Sequence, residues 1–333
     1  MRAEVIPAID LQLPLAPAIN QYAEDAHLHA IEWVKYFRLV EGEASYGLFR
    51  RSRLATLVAR FYPIASLDEL LIAADLVSWV FVLDDYCDER SLGRDPKELG
   101  RVLERYTSIL EGEAPAPESG AMGRALYDVQ RRIARRAGPL GMREVIVGAK
   151  AYFNGILWES ENRARGITPD LATFIKMRPA AGAVPLFLSI VPLMSHIDFS
   201  PELSHSPAVM RLTTLAGNII CWINDLLSLP KEMSSGEVHN LVLVYQHEYD
   251  VSCAEAVELS LSMYHKDVNS FIEIESTLPW FGAADADLKG YLRTLRAIIR
   301  GTLDFSVESL RYRFAQPFSV EPESRSGAGT MAR

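Results

Sequence analysis

Apolar residues along this chain recur at helical spacing and almost nowhere alternate as strands do. Taken at i, i+3, i+4 and i+7, they predict helices over Ala23 to Val40, Leu67 to Asp85, Lys97 to Glu111, Arg124 to Arg136 and Met142 to Arg163. Further helices follow over Leu171 to Met177, Pro207 to Leu229, Glu237 to His247, Cys253 to Thr277 and Ala284 to Arg313. Pro207 suits the first turn of its helix, where a missing N–H costs no hydrogen bond. Breaks are expected at Gly112 to Gly120 and Gly166 to Asp170, where Gly and Pro cluster. No alternating run flanks a turn dipeptide as a hairpin would, and no repeat appears at solenoid periods. The expected fold class is all-α, a single large helical bundle.

Two of these segments, Leu70–Leu83 and Leu212–Ile223, are apolar nearly all round. Such helices belong at the centre of a bundle rather than on its surface. Each runs into polar residues: Asp84-Asp85 closes the first and Asn224-Asp225 the second. Two central helices that end this way predict a cavity with an apolar body and a charged rim.

No Gly/Ser-rich or Pro-rich linker divides the middle of the chain, so one helical domain is expected over 21–315. The first twenty residues, with Pro7, Pro14 and Pro17, read as an extended lead-in; 316–333, rich in Pro, Ser and Gly, reads as a disordered tail. A net charge of −9 without any Lys/Arg run excludes a general nucleic-acid binder. It also means that an anionic substrate would need metal ions or a few placed cations to overcome repulsion. The three cysteines, Cys87, Cys221 and Cys253, are odd in number and form no CxxC pair. Neither a disulfide framework nor a zinc site is expected, and a reducing cytoplasm is the expected home. The N-terminus does not read as a signal peptide. The longest apolar stretches are short and interrupted by Asp75 or by Pro185 and Pro192, so no membrane span is expected.

Four carboxylates fall within six residues at Asp84-Asp85-Tyr86-Cys87-Asp88-Glu89. On a helix Asp84 and Asp88 share a face, about 6 Å apart along the axis, and their repulsion makes sense if cations lie between them. Carboxylate oxygens are hard ligands suited to Mg²⁺, which takes one or two of them together with waters and substrate phosphates. Asp85 is turned about 100° away and suits an acceptor for a buried Arg behind the ligands. Glu89 is the alternative to Asp88 as the distal ligand. A second constellation, Asn224, Ser228 and Glu232, is spaced i, i+4 and i+8, a stripe that drifts by only about 40° per step. An amide oxygen, a hydroxyl and one carboxylate can chelate a hard divalent ion and leave coordination positions for diphosphate oxygens. Pro230 is expected to kink or end that helix near Leu226.

Together, Asp84-Asp85-x-x-Asp88 and Asn224-Asp225-x-x-Ser228-x-x-x-Glu232, roughly 140 residues apart, closely resemble the aspartate-rich motif and the NSE triad of bacterial class I terpene synthases. The resemblance spans about Asp84 to Tyr312. It implies an all-helical bundle around an apolar cavity, three Mg²⁺ ions, and an isoprenyl diphosphate substrate that is ionised and cyclised. It further implies that Arg178 senses the diphosphate, with Lys231 and the pair Arg311-Tyr312 as further diphosphate ligands. Gly182 matches the effector position at a helix break, with the small Ala181 between sensor and effector. Arg suits such a role because its fork meets phosphate oxygens bidentately. Pro179, Gly182 and Pro185 should break a helix and turn a backbone carbonyl toward the cavity. Thr302 and Phe305 depart from the family's usual Asn and Trp, which bears on pocket shape.

Trp79, Phe81, Phe153, Trp158, Phe174, Trp222 and Phe305 lie in or near the apolar segments. Most are expected to be core; Phe81, Phe153, Trp222 and Phe305 are the candidates for a cavity wall, where rings stabilise carbocations and exclude water. The substrate expected is C15 farnesyl diphosphate, with C20 geranylgeranyl diphosphate next and C10 geranyl diphosphate third. A chain-elongating prenyltransferase would carry a second aspartate-rich motif where this chain has Asn224-Asp225-Leu226-Leu227-Ser228. A helical binding protein without activity would release no diphosphate. Homodimerisation stays open.

Overall fold

The structure, a computed structural model, describes residues 9–89 and 91–309. Among them are fourteen α-helices and no strand. The N-terminal half contains α1 (Ala23–Phe37), α2 (Glu43–Ser52), α3 (Leu54–Phe61), α4 (Leu67–Glu89), α5 (Pro96–Leu110) and α6 (Gly120–Arg165). Four short helices follow: α7 (Leu171–Ala181), α8 (Val184–Ser189), α9 (Val191–Ser195) and α10 (Pro201–Ser204). The long α11 (Pro207–Ser235), then α12 (Leu241–Tyr249), α13 (Cys253–Ser276) and α14 (Asp285–Glu308), complete the bundle.

The two helices that read as apolar all round are the central ones. In α4 the run from Ile72 to Leu83 is almost wholly buried, Phe81 excepted, and packs against α1, α3 and α6. In α11 Leu212, Leu215, Trp222 and Leu226 have no exposed surface, and α7, α12, α13 and α14 surround them. The α11 helix is long and apolar enough to cross a membrane by length and composition, yet two thirds of its apolar window (67%) is buried by its neighbours. Burying Leu- or Trp-sized side chains at about 1.5–3 kcal/mol each accounts for these two rods forming the centre.

Several boundaries differ from the expectation for identifiable reasons. The α11 helix does not end near Leu226 but continues through Pro230 to Ser235. Pro230 is exposed, so its ring sits on the solvent side, and the helix continues with one missing N–H while Leu226 and Leu229 stay packed on the buried side. In the same way α7 runs through Pro179 and stops at Ala181. The helix expected from Glu237 begins instead at Leu241, because Gly236 turns left-handed (φ 74°) and Asn240 caps the new start through the Val242 N–H. The helices α2 and α3 were not expected; Arg53 separates them at φ 50°, a break made without Gly or Pro. The Gly138-Pro139 step does divide α6, Gly138 lying at φ 65° and ψ −177° inside it.

Two glycines fix where the short helices sit. A Cβ on Gly155 would lie 2.3 Å from the Ala181 nitrogen, and one on Gly148 would lie 2.7 Å from the Pro185 carbonyl oxygen. Spaced i and i+7 on α6, they let the α7–α8 junction pack backbone to backbone against that helix. The junction thereby packs between α6 and α11.

Candidate active site

One cavity of about 550 Å³ opens between α3, α4, α6, α7, α8, α11 and α14. Its apolar wall includes Leu57, Phe61, Phe81, Phe187 and Ile298, and its polar rim carries Asp84, Arg178, Asn224, Lys231 and Glu232. The two motif-bearing helices therefore face a common space, as their end residues implied. Asp84 comes from the last turns of α4, and Asn224, Lys231 and Glu232 from α11. Gly182, at the α7–α8 junction, also lines the cavity. Arg311 and Tyr312 lie outside the described residues, and so do the side chains of Asp88 and Glu89. Asp85 is fully buried behind the rim.

The aromatic candidates divide. Phe81 lines the cavity, whereas Phe153, Trp222 and Phe305 belong to the core. Phe153 packs between Trp79 and Tyr106 at ring separations of 6.3 and 6.5 Å. Trp222 stacks on Phe174 and donates its indole N–H to Asp267 at 3.0 Å. The reason is helical phase: the neighbours Tyr152 and Cys221, about 100° round the same helices, are the ones that line the space.

Arg178 is nine-tenths buried, and its guanidinium closes a compact network. Its Nε and NH2 donate to Asp225 Oδ1 at 2.9 and 2.7 Å, and NH2 also donates to Asn224 Oδ1 at 2.8 Å. The other Asp225 oxygen accepts the Leu241 N–H at 2.9 Å. Burial alone would disfavour the Arg178 charge, but the Asp225 carboxylate outweighs it and holds the guanidinium protonated well above its ordinary range. Burial pushes the Asp225 carboxyl up, and Arg178 and the Leu241 N–H oppose that. Gly182 packs against the same network, and a Cβ there would stand 2.9 Å from Arg178 NH1, so the guanidinium would have to shift. The backbone bends immediately afterwards at Ala183, φ 56°. Cys221, also on the wall, is pushed up to about 12 by burial and stays a neutral thiol.

Glu232 is the carboxylate of the second motif. Burial, followed by repulsion from Asp225, pushes it up to about 7, against the pull of Ser228, Arg178 and Asn240. One turn before it, Ser228 Oγ is buried and makes no hydrogen bond of regular geometry, although it is near enough to favour the ionised Glu232. Among the described residues no three His, Cys, Asp or Glu side chains converge on one point. The α11 set is of another kind: an amide oxygen, a buried hydroxyl without a regular hydrogen bond and one carboxylate. All are hard oxygen donors with low total charge, which fits a divalent cation shared with an anionic substrate.

Sequence reasoning missed Asp225 as the partner of Arg178, having assigned that kind of role to Asp85. It also missed Asn240, which was legible as an N-cap ahead of Leu241-Val242-Leu243-Val244. Glu159, Asn162, Arg163, Glu237 and His239, all on the cavity wall, carried no signal beyond ordinary surface polarity.

A family model described as the C-terminal metal-binding part of terpene synthase family 2 matches residues 75–269. The (+)-T-muurolol synthase of Roseiflexus castenholzii, named as cyclising (2E,6E)-farnesyl diphosphate, is 36% identical over 303 residues, 91% of this chain and 93% of that one. The germacrene A synthase of Nostoc punctiforme is 33% identical, over 91% and 94% of the two chains. Among solved structures, the SVS_A2 protein from ancestral sequence reconstruction superposes with a TM-score of 0.83 at 26% identity, covering 91% of this chain and 90% of that one. The linalool/nerolidol synthase of Streptomyces clavuligerus shares the fold with a TM-score of 0.79 at 22% identity, over 90% of this chain and all (100%) of that one.

Proposed function

The chain belongs to the terpene synthase family and is a class I enzyme of it, and from that premise we propose that it ionises farnesyl diphosphate and cyclises the resulting cation to a sesquiterpene hydrocarbon or alcohol. The observation that carries this reading is the shared cavity: the Asp84 helix and the Asn224/Ser228/Glu232 helix face one apolar space with Arg178 and Lys231 at its rim. A volume of about 550 Å³ lies within the range of roughly 300–1,000 Å³ usual for small-molecule sites.

In this mechanism Asp84, with Asp88 or Glu89, and the α11 set Asn224, Ser228 and Glu232 would hold divalent ions, three Mg²⁺ by the family's pattern. Bound there, the ions supply positive charge that the departing diphosphate needs. Lys231 adds a point charge, and Arg178 a planar fork, once it exchanges its bond to Asn224 for phosphate oxygens. That exchange would release the Asn224 oxygen from Arg178, so that it could serve as a cation ligand once phosphate is bound. Arg311 and Tyr312 complete the donor set. The C1–O bond breaks with its electron pair leaving on the diphosphate, and an allyl cation remains. The apolar wall then folds the chain, excludes water and presents the Phe81 ring face to positive charge. The α7–α8 break, with Ala183 at φ 56°, leaves the last α7 carbonyls outside a continuous helical ladder, so the negative end of a backbone carbonyl there is available to the same charge. A distal π-bond attacks the cation to close a ring, and loss of a proton or capture of water ends the reaction. Cys87, Cys221 and Cys253 are buried and none is joined in a disulfide, which accords with a cytoplasmic setting.

Purified protein incubated with farnesyl, geranylgeranyl or geranyl diphosphate and Mg²⁺, with diphosphate release measured and products read by gas chromatography–mass spectrometry, tests the proposal. Cyclic C15 product from the first substrate, abolished by EDTA and by Asp84→Ala, is the expected result. Undiminished turnover in Asp84→Ala would remove the metal assignment.

A further inference from the structure

The segment Gly236–Asn240 bridges the end of α11 and the start of α12 along the cavity wall, and a polar clasp ties it to the last turns of α6. Arg163 on α6 donates through Nε and NH2 to Glu237 Oε2 at 3.1 and 2.9 Å, and NH2 reaches Glu159 at 3.3 Å. The other Glu237 oxygen accepts the Val238 and His239 N–H groups at 2.8 and 3.0 Å and contacts His239 Nδ1 at 2.6 Å. The second His239 nitrogen meets the Asn162 amide at 3.2 Å, and the ring stands edge-on to Trp158 at 5.2 Å. His239 is held on every side and only 4% exposed. None of this touches the motif residues directly.

The next residue does. Asn240 has no exposed surface and uses its whole amide. Its Nδ2 donates to Glu232 Oε2 at 2.7 Å and to the Asp225 carbonyl at 2.7 Å, while its Oδ1 accepts the Val242 N–H at 2.8 Å. One N–H therefore fixes one oxygen of the Glu232 carboxylate, and the other is anchored to the helix that carries it. A carboxylate with free χ angles would have to be frozen each time it took up a cation; here that ordering is already done. The residue can hold this pose because the clasp on α6 fixes the chain one residue before it.

We propose that Asn240 is a positioning residue for Glu232, set in place by the Arg163–Glu237–His239 clasp, so that the α11 donor set is preorganised for a divalent cation with diphosphate. This rests on the reading of the site given above. Asn240→Ser keeps a capping hydroxyl for α12 but reaches neither Glu232 nor Asp225, and Asn240→Asp keeps the cap acceptor while replacing the donors with acceptors. The assay is thermal unfolding of the full chain, alone and with Mg²⁺ plus inorganic diphosphate, alongside the Mg²⁺ concentration for half-maximal turnover of farnesyl diphosphate. Both variants are expected to unfold cooperatively without ligand, to lose most of the Mg²⁺–diphosphate stabilisation, and to need about tenfold more Mg²⁺. At saturating Mg²⁺, kcat in Asn240→Ser should recover toward wild type while the requirement for metal stays raised. Wild-type stabilisation and metal requirement in Asn240→Ser would overturn the proposal, and so would its failure to fold, which would make Asn240 a folding residue. A wild-type chain that shows neither the ligand-induced shift nor turnover would instead overturn the reading of the site, and this inference with it.

Discussion

The α7–α8 junction sits where it does because Gly155 has no side chain, and this can be tested with a single methyl group. In Gly155→Ala the new Cβ would lie 2.3 Å from the Ala181 nitrogen, 2.6 Å from its Cα and 2.7 Å from the Ala180 carbonyl carbon. Carbon contacts prefer roughly 3.5–4.0 Å, so the two backbones must part by about 1 Å. Neither side yields easily: α6 is continuous here and α7 is held from the far side by Arg178 on Asp225. Overpacking of this kind costs about 1–3 kcal/mol, partly offset by about 1 kcal/mol of helix propensity. At about 2 °C per kcal/mol for a chain of this size, the melting midpoint should fall by only a few degrees. Activity should fall much further. The methyl group displaces Ala181 and Gly182, two residues of the cavity wall, together with the end of the helix that carries Arg178, and a shift near 1 Å in a reacting site can cost on the order of 10²-fold in rate. Gly100→Ala is the control, since a Cβ there meets nothing within 4 Å and should be neutral or slightly stabilising. Scanning calorimetry and steady-state turnover on both variants decide the matter. Gly155→Ala with wild-type midpoint and wild-type kcat would refute the close-approach argument.

Phe81→Ala should leave ionisation within about tenfold of wild type but broaden the product mixture, because a ring face worth up to about 2 kcal/mol to a cation is removed from the wall; an unchanged gas-chromatographic profile would take Phe81 out of the cyclisation steps. Glu232 makes a prediction about pH. Its folded-state value of about 7 lies above the ordinary carboxylate range, so between about pH 4.5 and 7 the metal-free folded protein holds a proton that the unfolded chain has lost. Stability from this group therefore falls as pH rises through that window, and Glu232→Gln, which never ionises, should gain on wild type in melting midpoint from pH 4.5 to 7 in EDTA. A constant difference across that range would show that burial and Asp225 do not act on Glu232 as described.

The all-α class, the two central apolar helices and the motif residues at their ends could all be read from the sequence. They are local quantities: periodicity of 3.6, spacing of i and i+4, and the coincidence of carboxylates with the end of an apolar run. Spacing also carried Arg178 and Gly182 through their resemblance to a known pattern, and the close approach of Gly182 to Arg178 supplies the physical reason for that glycine. Helix ends were less legible. Pro230 looked like a stop and is not, because its ring faces solvent while Leu226 and Leu229 keep the other side of the helix packed.

What only the tertiary structure decided is which polar groups meet. Asp85 and Asp225 look alike in sequence, each following the first polar residue after an apolar run, yet it is Asp225 that receives Arg178. Tyr152 and Phe153, or Cys221 and Trp222, are neighbours in the chain, and only packing determined which of each pair faces the cavity. Asn240 donates a side-chain N–H to a Glu232 carboxylate oxygen across a turn that no periodicity describes. The chain encodes hydrophobic faces one element at a time, whereas a hydrogen bond between two elements depends on the relative placement of both, which is settled only when the core between them has closed.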